Sequence, residues 1–311
     1  MKILVAGGAG FIGSHVQDAY LALGHEVVVI DNLYTGRKDF VNRDCRFYEV
    51  DIRDAESIVE IFERERFDVV NHHAAQMDVR ASVADPVFDA DVNILGGLNL
   101  LQASVKTGVK QFIFASTGGA IYGEQDTFPA DENHLLRPVS PYGVSKLSLE
   151  KYIDFYAKTY GLRCFIARYA NIYGPRQNPD GEAGVVAIFS RRLVSGEMPT
   201  INGDGKQTRD FVYVADVVEA NVVVLDHGEN SVLNIGTGRE TDINRIFSIL
   251  ATTSGKSVEP HHGPAKKGEQ RRSVLDNRRA KKILGWVPST DIREGLEKTY
   301  AYFSMEEETI R

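Results

Sequence analysis

Close to its N-terminus the chain reads Lys2-Ile-Leu-Val-Ala-Gly7-Gly-Ala-Gly10-Phe-Ile-Gly13, and this run indicates how the chain folds. The apolar residues 2–6 predict a short strand, the glycines predict a tight turn, and residues 14–23 predict a helix. Residues 26–30 predict a second strand, which leads to Asp31. Strand, glycine turn, helix, strand and acid in this order form the context of a dinucleotide-binding fingerprint.

The residue types in this run suit NAD as a cofactor. Glycines let the backbone approach a pyrophosphate closely and leave the N-terminus of the helix facing it. Asp31 can accept hydrogen bonds from both hydroxyls of a ribose and would repel a 2′-phosphate. The sequence therefore predicts NAD rather than NADP. The alternative, a simple glycine turn, leaves the accompanying strand, helix and acid without an explanation.

The alternation of strand and helix continues to about residue 169. Further strands are predicted at residues 46–50, 68–72, 111–115 and 163–167, and helices at residues 55–65, 86–108 and 142–160. Repeated β–α units of this length predict an α/β fold with a doubly wound parallel Rossmann sheet. Ligands bind such sheets beyond the carboxyl ends of the strands, so we expect the polar residues at these ends to share one cleft.

After residue 174 the regular alternation stops and shorter elements follow. We predict an NAD-binding Rossmann domain over residues 1–174. A smaller mixed α/β domain that binds the substrate is predicted over residues 175–311, with some of its elements returning to the first domain. His261 and His262 are expected in a loop, and residues 305–311 are expected to be a frayed tail.

Composition excludes several classes of function. The 311 residues include 43% hydrophobic and 25% charged residues, and the formal net charge is −7. This acidic balance gives no support to binding of nucleic acid or of anionic membranes. Cys45 and Cys164 lie far apart and are expected to be reduced, buried thiols. With neither a signal peptide nor an apolar run of membrane-spanning length expected, the sequence predicts a cytoplasmic protein.

A second stretch, Tyr142-Gly-Val-Ser-Lys146, predicts a general base. Helical spacing places Tyr142 and Lys146 one turn apart on the same face. A nearby ammonium favours the ionised phenol, so we expect the pKa of Tyr142 to fall when Lys146 and a cationic cofactor act together. A fall from about 10 towards 7 requires roughly 4 kcal/mol. The bland alternative is an ordinary surface helix, on which a tyrosine and a lysine often lie four residues apart.

The glycine run, the Tyr142-x-x-x-Lys146 pair and an upstream hydroxyl at Thr117 together resemble the extended short-chain dehydrogenase/reductases. Three more segments make the chain similar to the nucleotide-sugar branch of that family: Arg168-Tyr-Ala-Asn171-Ile-Tyr-Gly-Pro175, Gly203-Asp-Gly-Lys-Gln-Thr-Arg209-Asp210 and Asn234-Ile-Gly-Thr-Gly238. The resemblance covers residues 1–303 and is nearest to the enzymes that invert C4 of UDP-glucose and UDP-galactose. It implies a transient 4-keto sugar, NAD as a bound prosthetic group, a UDP-sugar substrate and a homodimer.

The resemblance also implies roles for single residues. Tyr142 would take the proton of the sugar 4-hydroxyl, Lys146 would hold the nicotinamide ribose, and Thr117 would hydrogen-bond the reacting hydroxyl. The residues implied to bind NAD are Gly7, Gly10, Phe11, Ile12, Gly13, Asp31, Asn32, Asp51, Ile52, Ala74, Ala75, Gln76, Asn93, Tyr142, Lys146 and Tyr169. Those implied to bind the substrate are Thr117, Tyr142, Asn171, Val185, Thr200, Asn202, Arg209, Lys266, Arg272 and Ser273.

Simpler roles stay open for some of these residues. Thr117 could cap a helix, Asn171 could stabilise a turn, and Arg209 could pair only with Asp210. No metal site is expected, because His72 and its neighbour in sequence have no further ligand at a metal-binding spacing.

Two segments depart from the pattern of the related epimerases. Lys266-Lys267-Gly268-Glu269 replaces the usual Arg-x-Gly-Asp, so either Lys266 or Arg272 is expected to be the second ligand of the diphosphate. Ser273 stands where related enzymes carry a tyrosine or a small residue. The small residue predicts that UDP-N-acetylglucosamine is accepted in addition to UDP-glucose.

Rival functions share the same scaffold. Related 4,6-dehydratases follow the threonine with two acids and related decarboxylases with a glutamate, whereas this chain has Gly118-Gly119, which disfavours elimination. A 4-epimerase of UDP-glucuronate stays open, because it needs only one more cation near the C6 carboxylate. A non-catalytic NAD-binding regulator is the remote alternative, and the intact set of Thr117, Tyr142 and Lys146 argues against it.

Overall fold

The computed structural model describes residues 1–180, 184–256, 258–265 and 270–310. Packing divides the chain into two compact units that interleave along the sequence. The first unit comprises Met1–Ile121, Leu136–Tyr169 and Val218–Leu233, and the second comprises Tyr122–Leu135, Ala170–Val217 and Asn234–Arg311. The functional boundary between residues 174 and 175 stays a prediction.

The first 169 residues alternate strands and helices. The strands are β1 (Lys2–Ala6), β2 (Glu26–Asp31), β3 (Arg46–Glu49), β4 (Val69–His72), β5 (Gln111–Thr117) and β6 (Arg163–Tyr169). The helices are α1 (Phe11–Ala22), α2 (Ala55–Glu65), α3 (Val79–Ala84), α4 (Pro86–Ala90), α5 (Gly97–Thr107), α6 (Gly118–Ile121) and α7 (Pro141–Tyr160). A π-helical turn, Asp91–Gly96, connects α4 to α5, and Lys38–Phe40 is a 3-10 turn. Each strand predicted in this part is present, with bounds within two residues of those expected.

The later elements are shorter. The strands are β7 (Asn171–Tyr173), β8 (Thr200–Asn202), β9 (Thr208–Arg209), β10 (Phe211–Tyr213), β11 (Ser231–Ile235), β12 (Thr241–Asp242), β13 (His261–Gly263) and β14 (Arg272–Ser273). The helices are α8 (Val185–Val194), α9 (Val214–Val223), α10 (Ile243–Thr253), α11 (Arg278–Leu284) and α12 (Ile292–Ile310), and Val224–Asp226 is a 3-10 turn.

Seven strands form the main sheet in the order β11-β6-β5-β4-β1-β2-β3. Neighbouring strands from β6 to β3 pair in parallel. The direction of winding reverses between β1 and β4, which defines a doubly wound sheet. The predicted α/β Rossmann fold is confirmed.

Both faces of this sheet are buried, which explains why its strands are apolar without alternation. On one face, side chains of the central strands pack against helices α2, α5 and α7. On the other face, Val5 and Val29 are also fully buried. With both faces buried, exposed polar groups that could bind a ligand are expected at the ends of the strands.

The second unit contains small sheets and helices, which confirms a mixed α/β character. β7 pairs with β10, β9 pairs with β12 and β14, and β8 pairs with β13. Two expectations were wrong. His261 and His262 lie in β13 and not in a loop, because they pair with β8. Residues 305–310 continue helix α12 instead of fraying.

The two cysteines differ in burial. Both cysteines are free, and Cys164 is buried as expected, but Cys45 is only half-buried. Within the described ranges, no helix combines the length and the apolar character needed to cross a membrane.

Candidate active site

The glycine turn lies where the winding of the sheet reverses. Gly7 has a φ of +82°, and a Cβ atom there would lie 2.4 Å from the backbone nitrogen of Ala74. A Cβ on Gly13 would lie 2.3 Å from the carbonyl oxygen of Gly7. The turn after β1, helix α1 and the segment after β4 are therefore in direct backbone contact. Only glycine permits this approach.

Helix α1 begins at Phe11, directly after this turn, with Ile12 and Gly13 in its first turn. Its N-cap is Gly10, and the described part of the chain provides no side-chain cap hydrogen bond. The uncapped N–H groups and the positive end of the helix dipole suit a pyrophosphate.

Asp31, at the end of β2, and Asp51, after β3, are two of the acids implied to bind NAD. The buried Asp31 accepts hydrogen bonds from the backbone N–H of Ala9 at 3.0 Å and of Leu33 at 2.9 Å. Burial raises the pKa of Asp31, and these two bonds oppose the rise. Asn32 donates to Asp51 at 2.8 Å. The carboxylate of Asp31 keeps lone pairs for further donors such as ribose hydroxyls.

Ile52, beside Asp51, packs beneath the π-helical turn. It lies so close that a Cβ on Gly96 would approach its Cδ1 atom to 2.6 Å. This contact fixes the helical turn that carries Asn93 against the end of β3.

Three of the residues implied to bind NAD follow β4. Ala74 and Ala75 are half-buried, and Gln76 is buried. The side chain of Asn93 clamps Gln76 by accepting from its backbone N–H at 3.0 Å and donating to its backbone carbonyl at 2.9 Å. Residues far apart in sequence are thus brought together at the switch point of the sheet.

Tyr142 and Lys146 lie on the first turns of helix α7, as the spacing predicted. Ser140 is its N-cap and accepts from the N–H of Gly143 at 3.2 Å. Lys146 is 3% exposed. Its Nζ atom donates to the carbonyl oxygen of Ala115 at 3.0 Å and lies 5.9 Å from the centre of the Tyr142 ring. Lys146 is therefore buried and Tyr142 is half-buried, so the pair does not lie on an exposed face of the helix.

The electrostatics of this pair differ from the expectation. Burial raises the pKa of Tyr142, and the negative charge of Asp89 raises it further. Burial also lowers the pKa of Lys146 to about 8, although Asp89 and Glu150 oppose this. The expected fall in the pKa of Tyr142 does not occur in the chain by itself, because loss of solvation outweighs the nearby ammonium.

Thr117 ends strand β5, close to the start of α7. Its Oγ1 atom accepts from the N–H of Ala120 at 3.3 Å, so the residue does cap the short helix α6. A hydroxyl that accepts one bond can still donate its own proton, so this cap is compatible with a catalytic role. A Cβ on Gly143 would lie 2.7 Å from the carbonyl oxygen of Ala120. Glycine at 143 thus lets α7 approach the turn after Thr117.

Tyr169 ends strand β6. Its hydroxyl accepts from Asn221 at 2.9 Å, and its ring stacks on His73 with an interplanar angle of 4°. Burial lowers the pKa of His73 to about 3, so the ring is neutral near pH 7. Tyr169 is held from two sides.

A buried ion pair supports the catalytic helix, and sequence reasoning missed it. Glu150 on α7 accepts from Ser116 at 2.5 Å and from two nitrogens of Arg168 at 3.1 and 2.7 Å. All three residues are less than 5% exposed. Glu150 follows Lys146 by four residues, and this helical spacing is the signal that could have revealed it.

In the second unit, two of the implied substrate ligands lie near a buried carboxylate. Asn171 begins β7 and is exposed, and Arg209 lies in β9 and donates to the carbonyl oxygen of Thr208 at 2.8 Å. Asp210 accepts from Thr237, Gly238 and Leu275. Pairing with Arg209 is therefore not needed to explain why Asp210 is buried.

The other implied substrate residues belong to the same unit. Val185 begins α8, and Thr200 and Asn202 bound β8; all three are half-buried. Arg272 donates to both carboxylate oxygens of Glu240 at 2.9 and 2.7 Å, and its guanidinium lies 3.8 Å from the centre of the Phe128 ring. Ser273 is 3% exposed. Lys266 lies outside the described residues. The assigned substrate roles stay predictions.

A glycine turn against a helix N-terminus, an acid at the end of β2, and a Tyr–Lys pair near a β5 threonine define a dinucleotide-dependent enzyme of the short-chain dehydrogenase/reductase type. Residues 3–236 match the model of the NAD dependent epimerase/dehydratase family. The chain belongs to this family, which confirms the resemblance and NAD as the cofactor.

Proteins of known structure or function are similar to this chain over nearly all of its length. The chain is similar to the crystal structure of UDP-glucose 4-epimerase from Thermotoga maritima with UDP-glucose, with 50% identity, a TM-score of 0.97 and 100% of both chains covered. The UDP-glucose 4-epimerase of Thermus thermophilus in complex with NAD is 44% identical, with a TM-score of 0.92, over 97% of this chain and 99% of that one. The UDP-glucose 4-epimerase of Mycolicibacterium smegmatis is 42% identical over 97% of this chain and 98% of its own length.

Proposed function

We propose that this protein is an NAD-dependent 4-epimerase that interconverts UDP-glucose and UDP-galactose through a transient 4-keto sugar. The similar enzymes from Thermotoga maritima and Thermus thermophilus support the reaction class and the UDP-hexose substrate. A role in galactose metabolism would follow from this reaction.

The observation that carries the proposal is the surroundings of Thr117. This residue, Tyr142 and Lys146 belong to one unit, and the turn after Thr117 is formed by Gly118 and Gly119. Glycine has no side chain that could donate or accept a proton. A 4,6-dehydratase needs an acid or base there to eliminate water, whereas the side chains of an epimerase have to move only the proton of the 4-hydroxyl, since NAD would carry the hydride of C4.

The residues divide this task by their chemistry. NAD, when bound, supplies a hydride acceptor and donor for C4 of the sugar. Tyr142 accepts the 4-hydroxyl proton and returns it after the ketone has presented its other face. Thr117 orients the reacting oxygen with its hydroxyl. Lys146 supplies a fixed positive charge that favours the phenolate of Tyr142 while that proton is held.

Burial around Tyr142 makes this charge important. Because desolvation raises the pKa of the phenol, the proton leaves the sugar hydroxyl only if cationic groups offset the rise. Lys146 provides one such charge and the oxidised nicotinamide would provide a second.

Anchoring of the nucleotide is assigned to the second unit. Arg209 and Asn171 would bind the diphosphate, since an arginine can donate two parallel hydrogen bonds to phosphate oxygens. Ser273 is small and buried. Its size supports acceptance of an N-acetylated sugar, and we propose UDP-N-acetylglucosamine as a second substrate.

The assembly is proposed to be a homodimer in the cytoplasm. Helix α7 carries Val144, Tyr152 and Phe155, which are 48, 43 and 51% exposed. They are eight and three residues apart, so they lie along one face of the helix, and pairing of this face with that of a second copy would cover them. Two free thiols suit a reducing compartment.

The test is to incubate the purified protein with UDP-galactose, without added NAD, and to follow UDP-glucose by chromatography. Turnover that is lost in Tyr142→Phe, while NAD stays bound, supports the proposal. Parallel reactions with UDP-N-acetylglucosamine and UDP-glucuronate test the substrate range. Conversion of UDP-glucuronate, but of neither other sugar, would show that the proposed substrate is wrong. Retained NAD without conversion of any sugar would favour a binding protein. A monomer in light scattering would refute the dimer.

A further inference from the structure

A buried carboxylate joins three segments of the proposed catalytic machinery. Asp89, on helix α4, is fully buried. It accepts hydrogen bonds from Gln76 Nε2 at 3.0 Å, from Asn93 Nδ2 at 3.0 Å and from Ser145 Oγ at 2.5 Å. These donors lie after β4, in the π-helical turn and on α7.

Each of the three donors either has a proposed role in binding NAD or adjoins a proposed catalytic residue. Gln76 and Asn93 belong to the residues assigned to NAD, and Ser145 directly precedes Lys146. Gln76 is held further by its own contacts with the backbone of Asp78, since it donates to the carbonyl oxygen at 2.9 Å and accepts from the N–H at 2.6 Å. A displaced Asp89 would therefore loosen the segment after β4 and the start of α7 together.

The charge of Asp89 is the second observation. Its three described donors are neutral groups, so its negative charge is balanced at longer range, and a buried charge acts strongly on others nearby. Asp89 raises the pKa of Lys146 and also that of Tyr142. An asparagine would have nearly the same shape but no charge.

We propose that Asp89 is a positioning residue for the epimerase reaction, in which its buried carboxylate ties α7 to the segment after β4 and places a negative charge in the surroundings of Lys146. The inference rests on the proposed function, because that function gives Lys146 its role. Asp89 acts through Lys146, Gln76 and Asn93.

Other titratable groups around Lys146 shape the same balance. Glu150, on the same helix, also raises the pKa of Lys146. His72 and His73 lie at the end of β4. Burial and the positive charge of Lys146 lower the pKa values of both histidines. The phenol of Tyr142 is neutral at pH 7 for the reason given above. Asp89 and Glu150 are thus the negative charges that oppose the loss of solvation at Lys146.

The first experiment titrates Lys146 directly. Protein labelled with ¹³C at the lysine ε carbons is followed by NMR from pH 6 to 11, and the Lys146 signal is assigned by its loss in Lys146→Arg. We expect Asp89→Asn to lower the pKa of Lys146 relative to the unsubstituted protein. The matched control is Asp154→Asn, which removes an exposed carboxylate from the same helix and should leave the titration unchanged.

The second experiment measures turnover of UDP-galactose against pH with the NAD-loaded enzyme. In Asp89→Asn both limbs of the pH profile should move to lower pH, because loss of the negative charge lowers the pKa values of Lys146 and Tyr142 alike. We also expect kcat at pH 8 to fall roughly ten- to a hundred-fold through misplacement of α7. A merely structural role would lower kcat and stability without shifting the profile.

Ser145→Ala separates the tether from the charge and covers the case in which Asp89→Asn does not fold. It should reduce kcat and the NAD retained through gel filtration, with the titration of Lys146 unchanged. Unchanged kcat and NAD content in Ser145→Ala, or an unchanged Lys146 titration in folded Asp89→Asn, would overturn the proposal. The NMR titration needs no turnover, so it still tests Asp89 if the protein proves not to be an epimerase.

Discussion

Several polar residues of the proposed site differ in burial between the two units. In the first unit several key groups are buried and hydrogen-bonded: Asp89 is 0%, Lys146 3% and Glu150 4% exposed. In the second unit Asn171 and Arg272 are exposed at the surface. Buried polar groups persist only with satisfied hydrogen bonds, and such networks fix one arrangement of side chains.

This difference fits the demands of an epimerase. In the proposed reaction NAD is restored at each turnover and stays in place, so the groups that serve it can be rigid. The nucleotide sugar enters and leaves, and its ring must turn between two orientations. Surface groups that bind the diphosphate but enclose the sugar loosely suit this task. The comparison predicts large effects from substitutions within the first unit and small ones from exposed pairs in the second.

The largest effect is expected from Gly7→Ala. The added Cβ would lie 2.4 Å from Ala74 N, in a backbone with a φ of +82°. The segments after β1 and β4 would have to separate, so we expect loss of bound NAD or of soluble protein, measured as NAD per chain after gel filtration.

Gly24→Ala is the matched control for this change. Gly24 has a φ of +78°, but a Cβ there would meet no atom within 4 Å. The free energy of unfolding of Gly24→Ala should fall by only about 1–2 kcal/mol, because of the left-handed backbone conformation. The variant should keep its NAD. Equal damage in both variants would show that strain, and not the close contact, fixes the cradle.

The next effect concerns the buried ion pair. Arg168→Met leaves Glu150 charged and without its main partner, and breaking one side of a buried pair destabilises a protein by about 3–5 kcal/mol. The free energy of unfolding in urea measures this.

The exposed counterpart in the second unit is Arg271, which donates to both oxygens of Asp204 at 2.9 Å. The bidentate geometry is alike but the pair is in water, so Arg271→Met should leave the urea midpoint nearly unchanged. A large loss in Arg271→Met, or none in Arg168→Met, would break the comparison between the units.

Sequence reasoning found the elements whose signals are local. Apolar runs, the glycine turn at Gly7 and the Tyr142–Lys146 spacing depend on neighbours within a few residues. The strand at His261 was missed because its pairing partner is about sixty residues away in sequence. The π-helical turn was missed because a single inserted residue scarcely alters helical periodicity.

Burial explains the errors at the site itself. Asp89 is the one polar residue of the short helix α4, and no local pattern shows that its carboxylate is covered by Ser145 of α7. The rise in the pKa of Tyr142 depends on desolvation, which spacing does not reveal. Charges that are near in sequence could be counted, but their solvation could not.

A third prediction concerns acid stability, which should originate in the first unit. His73 has its pKa lowered to about 3 by burial, below the value near 6.5 of an unfolded chain. Between these values the unfolded state binds more protons, so the stability from His73 is complete above about pH 6.5 and is lost as pH falls towards 3. His72 acts in the same direction.

His73→Phe should therefore flatten the decrease in the free energy of unfolding over this range, while the ring can still stack on Tyr169. The control His261→Phe changes an exposed ring in the second unit and should leave the slope unchanged. An unaltered slope in His73→Phe would assign acid sensitivity to other groups, such as the carboxylate of Glu65, whose pKa is lowered to about 2 by Arg46, Lys2 and Tyr48 in spite of burial.

The smallest effect is expected at Arg272, although the sequence made it a candidate for the diphosphate. The Nε and Nη2 atoms of Arg272 already donate to Glu240, which also accepts from Thr208 at 2.6 Å. A guanidinium neutralised by a carboxylate attracts phosphate weakly, so Arg272→Met should raise KM for UDP-galactose only about two- to three-fold. Arg209→Met should raise it roughly ten-fold or more, since hydrogen bonds to a charged group contribute about 1.5–3 kcal/mol. An equal rise in both variants would mean that Arg272 leaves Glu240 for the substrate. The exposed pair would then be an exchangeable part of the binding site, and the contrast between a fixed cofactor side and an adaptable substrate side would become sharper.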